Sequence, residues 1–442
     1  MPTRERNRPL TELLAAAGWS GGDLARAVNR RGRDRGLRLR YDRTSVAHWL
    51  TGSMPRPPVP ELVAAVLTEH LGRTVTPADA GLGGGRRDDT TARPVTGARD
   101  ALEHLVALCR RDDMPAYGEG GPATPYVWTH VPQWSPPDSA SPHAPLAAAP
   151  VREMVDWFAR MLQQHGGGHL RGGLLGGVVD GAGRLLVAAS SGAADHCRLV
   201  ATAQLVHLLG DVTEDACRSG LAQRYYWHAL ALARAAGDSR QYAITLRVLS
   251  VQALRRGHLD HAQALIDAGL RALGPGGDAA TRSFLFAGRA EVLSRRGRYD
   301  EALGLLDEAS AHQAEAPPQE GPFAHYSLAA LQYQHGAVRI AAGRHEEAIT
   351  WLDASLARRP PSEHRAVALT HARIARSHLA TGGLDAACRH WSAFLEHYPQ
   401  VDSAAARAAL DAARRDLTPY LHHARAREVL RRLPRPAPAP PL

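Results

Sequence analysis

The sequence predicts an all-α protein with three parts: a basic helical N-terminus, a Pro- and Gly-rich link, and a long array of helical repeats. Three observations carry that expectation. Wherever the 442 residues show a clear pattern, apolar side chains recur three or four apart, the period of an amphipathic helix. A marker, G-x-x-[DE]-x-A, returns at Gly257, Gly297, Gly343 and Gly382. Between Gly83 and about Pro150 the composition shifts to Gly, Pro, Ser and Ala, as in connecting chain.

The N-terminal part comes first. Leu10, Leu13, Leu14 and Ala17 line one face of a first helix, Leu10–Ala17, and Gly18-Trp19-Ser20 turns the chain. Ser20 with Asp23 three residues later is a capping-box-like start for a second helix, Gly21 to about Arg30. The stretch Tyr41–Pro60, YDRTSVAHWLTGSMPRPPVP, predicts a short third helix. Asp42 is its N-cap, and Ser45 returns a local hydrogen bond. Val46, Trp49 and Leu50 share its apolar face, and Gly52 followed by Pro55, Pro57, Pro58 and Pro60 ends it. An apolar helix, Glu61–Leu71, follows. The outward face of the third helix is then Arg43, Thr44, Ala47 and His48, small and basic enough for a DNA major groove.

Charge agrees with that reading. All 53 basic residues are Arg, which reflects base composition as much as function, so their distribution carries the information. Residues 1–57 hold 12 Arg against 5 acidic residues, a net +7, whereas the whole chain is only +9. Within Arg26–Arg43, Arg31, Arg33, Arg38 and Arg40 are candidates for phosphate contact, which would position the domain while the third helix reads bases. Gly18–Gly22 also spells G-x-S-x-G, but the segment before it is helical, so the serine is a cap and not a nucleophile.

The residues GWSGGDLARAVN and RYDRTSVAHWLTG, followed by PRPPVPELVAAVL, resemble an XRE-type helix-turn-helix. The family they resemble is that of actinobacterial regulators joining this domain to tetratricopeptide repeats (TPR). Among its members are negative regulators of streptomycete differentiation and antibiotic production. The resemblance covers the first ~80 residues closely and residues ~200–420 by repeat pattern. It implies a sequence-specific transcriptional regulator of double-stranded DNA, repressive in sense. The long arginine-rich link between the second and third helices departs from the usual pattern.

The boundaries follow. Residues 1–82 form the helix-turn-helix domain and 83–150 a flexible linker with one amphipathic helix, Gly97–Arg111, through Leu102, Leu105, Val106 and Leu108. Pro115–Pro150 has no periodicity, yet it carries Trp128 and Trp134, which either dock on the next domain or form a partner-binding motif. Residues 151–198 connect: a helix over Val151–His165, then a glycine-rich stretch that is either a hairpin of Leu174–Asp180 with Arg184–Ala189 or a broken helix. A phosphate loop of the G-x-x-x-x-G-K-[ST] kind is excluded, because the chain has no Lys. His165 and His169 have a helical ligand spacing but no evident third ligand, so no metal and no cofactor is expected.

The array occupies 199–433. Seven residues before each marker glycine stands a small residue, Ser250, Ala290, Gly336 or Ala375, and nine after it a large one, Ile266, Leu306, Leu352 or Trp391. Cys217 takes the glycine's place in an earlier unit with Gly210, Ala222, Tyr226 and Ala229. The glycine turns the chain, the small residue lets two helices approach, and the large one fills the space between hairpins: the logic of a TPR-like α-solenoid. The intervals of 40, 40, 46 and 39 residues place the extra length in loops such as Gly274–Asp278 and Ala316–Pro322. Ser403–Leu417 and His422–Leu433 read as capping helices, and 434–442 as a disordered Pro-rich tail. Repeat geometry puts Arg247, Arg289, Tyr333 and Arg373 in the groove, for a peptide or protein ligand or for self-association. A single reading helix per chain implies a homodimer on two half-sites.

Four scattered cysteines with no paired spacing read as reduced thiols. The N-terminus lacks the apolar core of a signal peptide, and no run is long enough to span a membrane. A cytoplasmic, nucleoid-associated protein is expected, with no catalytic constellation and so no enzyme. The alternative is a TPR interaction scaffold whose N-terminal bundle docks protein rather than DNA.

Overall fold

A computed structural model describes residues 7–34, 39–56, 59–71, 75, 77, 79–82, 97–112, 124, 126–128, 131–136, 149–189, 196–316 and 327–434. The expectations for Arg38, for residues 83–96, for most of Ala316–Pro322 and for the tail from 435 lie outside them. Nineteen α-helices and no strand occur among the described residues.

Asn7 starts the first unit. Its side-chain oxygen accepts from the Leu10 amide at 3.0 Å, capping α1 (Arg8–Ala17), and its amide nitrogen donates to the carbonyls of Ala80 and Gly81. One residue thus joins the beginning of the unit to its end. Gly18, left-handed at φ 62°, stops α1. Next come α2 (Gly21–Asp34), α3 (Arg43–Leu50) and α4 (Val59–Leu71). The second helix runs one turn past the expected Arg30, which shortens the link to α3. The fourth begins at Val59 because Pro60, in its first turn, has no hydrogen bond to lose there. Leu10, Leu13, Leu24, Val28, Val46, Trp49, Leu62 and Leu67 form its core.

The third part begins earlier than the sequence suggested. The helix foreseen inside a linker, α5 (Ala98–Asp112), packs on α7 (Arg171–Ala189) and α9 (Ser219–Ala235). Leu102, Leu105 and Cys109 belong to an apolar cluster that continues to Val292. Asp112 anchors its end. The carboxylate, almost fully buried, meets Arg171 and Arg218 and accepts from the Tyr225 hydroxyl at 2.6 Å. Residues 98–112 and 149–189 are therefore built into the repeat unit, not strung between units. The glycine-rich stretch is a single helix, α7, in spite of six glycines. Each costs about 1 kcal/mol relative to Ala, and burial of Leu174, Leu175, Val178 and Leu185 against α5 and α8 (His196–Asp215) offsets that.

Five helical hairpins follow: α8 with α9; α10 (Ser239–Arg255) with α11 (Leu259–Leu273); α12 (Ala279–Arg295) with α13 (Tyr299–Glu315); α14 (Leu328–Ala341) with α15 (His345–Ala357); and α16 (His364–Ala380) with α17 (Leu384–His397). Gly257, Gly297, Gly343 and Gly382 turn them with φ between 74° and 81°. Cys217 holds the same left-handed position at φ 60°, alone among the described non-glycine residues. Tyr226, Ile266, Leu306, Leu352 and Trp391, one per hairpin, are all buried to 1% exposure or less. A Cβ on Gly210 would lie 2.4 Å from the Tyr226 ring, and one on Gly336 2.6 Å from Leu352. The array ends in α18 (Ala404–Leu417) and α19 (Ala424–Arg432).

The array also closes on itself. Helix α6 (Ala149–His165) lies against both α8 and α16. Asp402 donates its amide to the His165 carbonyl at 2.8 Å and accepts from the Gly168 amide at 3.2 Å. Asp215, at the end of α8, meets Arg365 and the Ser403 hydroxyl, each at 3.4 Å, and accepts from the Gly167 amide at 3.2 Å. Gly166–Gly168, which invited a phosphate-loop reading, are the residues small enough to fit this seam.

Candidate nucleic-acid interface

The third helix is fixed by short-range chemistry at its start. Asp42 accepts from the Ser45 amide at 2.8 Å and the Ser45 hydroxyl at 2.7 Å, and the Asp42 amide donates back to that hydroxyl, completing a capping box. Those bonds, the backbone one foremost, hold the Asp42 carboxyl below its ordinary range. The hydroxyl of Ser20 does the same for Asp23 at the start of α2.

Packing then sets the orientation of α3. Val46 and Trp49 are buried, and Trp49 meets Tyr41 edge-on with ring centres 5.2 Å apart. Gly21 allows α2 to approach closely, since a Cβ there would stand 3.3 Å from Val46 Cγ1. Asn29 on α2 clasps the chain just before α3: its amide nitrogen donates to the Tyr41 carbonyl at 2.7 Å and its oxygen accepts from the Tyr41 amide at 2.9 Å. Sequence reading passed over Asn29. Its only signal was a polar residue amid the apolar period of α2.

The residues left facing solvent are Arg43, Thr44, Ala47 and His48, all exposed. The phosphate candidates divide. Arg33, in the last turn of α2, and Arg40, just before α3, are exposed, whereas Arg31 pairs with Glu69 of α4 at 2.8 Å. Arg38 lies outside the described residues. Arg8, Arg30 and Arg56 add exposed positive charge to the same unit.

The groove candidates also divide. Arg247, its guanidinium 4.2 Å above the Phe284 ring, and Tyr333 line one cavity among the inner helices. Arg373 lies 4.1 Å over the Tyr333 ring and lines a second hollow, and Arg289 pairs with Asp267 at 3.5 Å.

Residues 126–128 and Trp134, which lie between the two units in sequence, are held down. Val127 is hydrogen-bonded through both main-chain groups to the side chain of Gln223. Tyr126 and Trp128 both stack near His258, at 5.9 and 5.0 Å, Arg256 lies 4.8 Å over the Tyr126 ring, and Trp134 meets Tyr242 edge-on at 5.0 Å. Burial pushes the Tyr126 phenol up, against the Arg256 guanidinium, which holds it down, and the Glu214 and Asp79 carboxylates add smaller upward pushes. Both tryptophans thus dock on the helical hairpins, Trp128 on His258 and Trp134 on Tyr242.

No group of three or more His, Cys, Asp or Glu is placed to hold a metal among the described residues, and no described helix is long and apolar enough to cross a membrane. Residues 10–83 match the family model described as the SP15 N-terminal domain, a match confined to the unit that carries α1–α4. No curated protein matches the chain.

Proposed function

We propose that the chain is a sequence-specific DNA-binding transcriptional regulator, with Arg43, Thr44, Ala47 and His48 meeting base edges and Arg33 and Arg40 meeting phosphate. The observation that supports this best is that α3 buries Val46 and Trp49 and leaves those four residues exposed in a unit carrying most of the chain's excess charge. A capped, clasped short helix with a small basic outer face fits a major groove. In this reading the N-terminal unit is XRE-like, the hairpin array is a TPR-like solenoid, and the protein works as a cytoplasmic, nucleoid-associated homodimer. The repressive sense, over differentiation or secondary metabolism, comes from the family resemblance.

The test is selection of genomic fragments by purified protein at two salt concentrations, repeated with Arg43→Ala/His48→Ala. A shared motif lost in the double variant supports the reading. Equal affinity for selected and random fragments overturns it. Arg33→Ala and Arg40→Ala should each reduce the slope of log affinity against log salt by about 0.9, and Arg31→Ala by less, since Glu69 already holds that charge.

The second reading is an interaction scaffold that uses the same face for a protein. Ala47, apolar at the centre of that face, favours it. A stoichiometric partner that co-purifies without DNA retention would support this reading instead.

A further inference from the structure

Because the array closes, its inner helices face one another, and a cavity of about 310 Å³ lies among α6, α8, α10, α12, α14 and α16. That is the lower end of the size range of small-molecule sites. Four guanidinium groups line it: Arg240, Arg247, Arg359 and Arg365. Phe284 and Tyr333 supply aromatic faces.

The wall has one carboxyl, Asp211. It accepts from the Tyr226 hydroxyl at 2.7 Å, and burial pushes it up toward its neutral form. Beside it, burial pushes His207 down, toward the neutral ring. Arg240 pairs with Asp278, Arg359 with Glu363 and Arg365 with Asp215, carboxylates that lie outside the lining. A guanidinium has five N–H donors, and one carboxylate contact leaves the others available. Arg359 illustrates this. Its side chain is only 8% exposed, Glu363 holds one end at 2.8 Å, and its Nε has no hydrogen-bond partner among the described residues. Arg247 is set in place from two sides, by the Phe284 ring and by Gly288, where a Cβ would stand 2.9 Å from Arg247 Cγ.

We propose that this cavity binds a small organic oxyanion with an apolar or aromatic body. The anionic head lies on Arg247, Arg359 and Arg365, and the body rests against Phe284 and Tyr333. Arginine suits such a head because its planar donors match two oxygens at once. Carboxylate and phosphate monoester share this chemistry. The inference is independent of DNA binding by the N-terminal unit, and its failure would leave that reading untouched.

The test uses the full chain and the fluorescent probe 8-anilinonaphthalene-1-sulfonate. Saturable one-to-one binding that weakens with ionic strength is expected, with competition by 1-naphthoate or 1-naphthyl phosphate and not by uncharged 1-naphthalenemethanol. Which of the two anions competes better distinguishes carboxylate from phosphate. Arg247→Met/Arg359→Met should weaken the probe by about tenfold or more. Ala330→Leu, which fills space in the wall without altering charge, should weaken it as well, and Arg389→Ala, exposed on α17, should not. Salt-independent binding by the unaltered protein, equal competition by the alcohol, or full affinity in folded Ala330→Leu protein would each overturn the proposal.

Discussion

Gln223 on α9 holds Val127 by both of its main-chain groups, donating to the carbonyl and accepting from the amide. A side-chain amide carries a donor and an acceptor side by side and so can satisfy both main-chain groups of one residue, and Asn29 does the same for Tyr41 in the first unit. In each case an irregular segment acquires a fixed course from a helix beside it.

Gln223→Ala should release residues 126–128 from the helical hairpins. Two hydrogen bonds are lost at a buried position, so unfolding free energy should fall by about 1–2 kcal/mol. Faster amide exchange at Val127 and new proteolytic cleavage near Trp128 would report the release. Unchanged exchange there would show that the ring stacking on His258 suffices alone.

Cys217→Gly should stabilise the protein. A left-handed non-glycine residue costs roughly 1–2 kcal/mol, of which the greater freedom of unfolded glycine returns part, leaving a net gain of about 0.5–1 kcal/mol. Thermal unfolding should shift up by about 2 °C. The converse change, Gly257→Ala, should lower it, since Gly257 occupies the same turn at φ 80°.

Gly166→Ala should open the ring. At φ 86° the position disfavours any side chain, and a Cβ would stand 2.4 Å from the Asp402 carbonyl oxygen, part of the backbone. A loss of about 2 kcal/mol or more and a larger radius of gyration by small-angle scattering are expected. Gly172→Ala, on α7 with nothing within 4 Å of its Cβ, should instead gain up to about 1 kcal/mol.

Stability should fall as pH drops from about 6.5 toward 4, in part through His335. This ring is 1% exposed, stacks on Trp351 at 3.9 Å, and accepts from Arg339 at Nδ1 while Nε2 donates to the Ser310 hydroxyl. Burial, then Arg339, pushes its pKa down to about 4, with Asp307 opposing weakly. Above 6.5 the ring is neutral in both states. Below 6.5 the unfolded chain binds the proton first, so folding loses on the order of 1 kcal/mol per pH unit until the folded ring titrates. His335→Phe should be less stable at pH 7.5 yet show a flatter profile between 6.5 and 4 in urea titrations. An equally steep profile would assign the effect to other histidines whose pKa burial lowers, such as the half-buried His371.

Much of this was legible locally. The caps Asp42 and Ser20, the apolar faces of α1 and α3, the hairpin turns and even the odd position of Cys217 depend on residues within a turn or two of one another, and sequence spacing records such relations directly. The closed array was not legible. It rests on His165 meeting Asp402 and on Asp215 meeting Arg365, pairs that periodicity cannot register because nothing in either local stretch encodes its partner. The glycine-rich α7 shows the same division: its own propensities oppose a helix, and only the apolar surfaces of α5 and α8 decide for one. What the sequence determined by itself is the helices and their turns. What the tertiary structure decided is which ends meet, and with that the cavity among the inner helices, because burial and desolvation depend on neighbours in space.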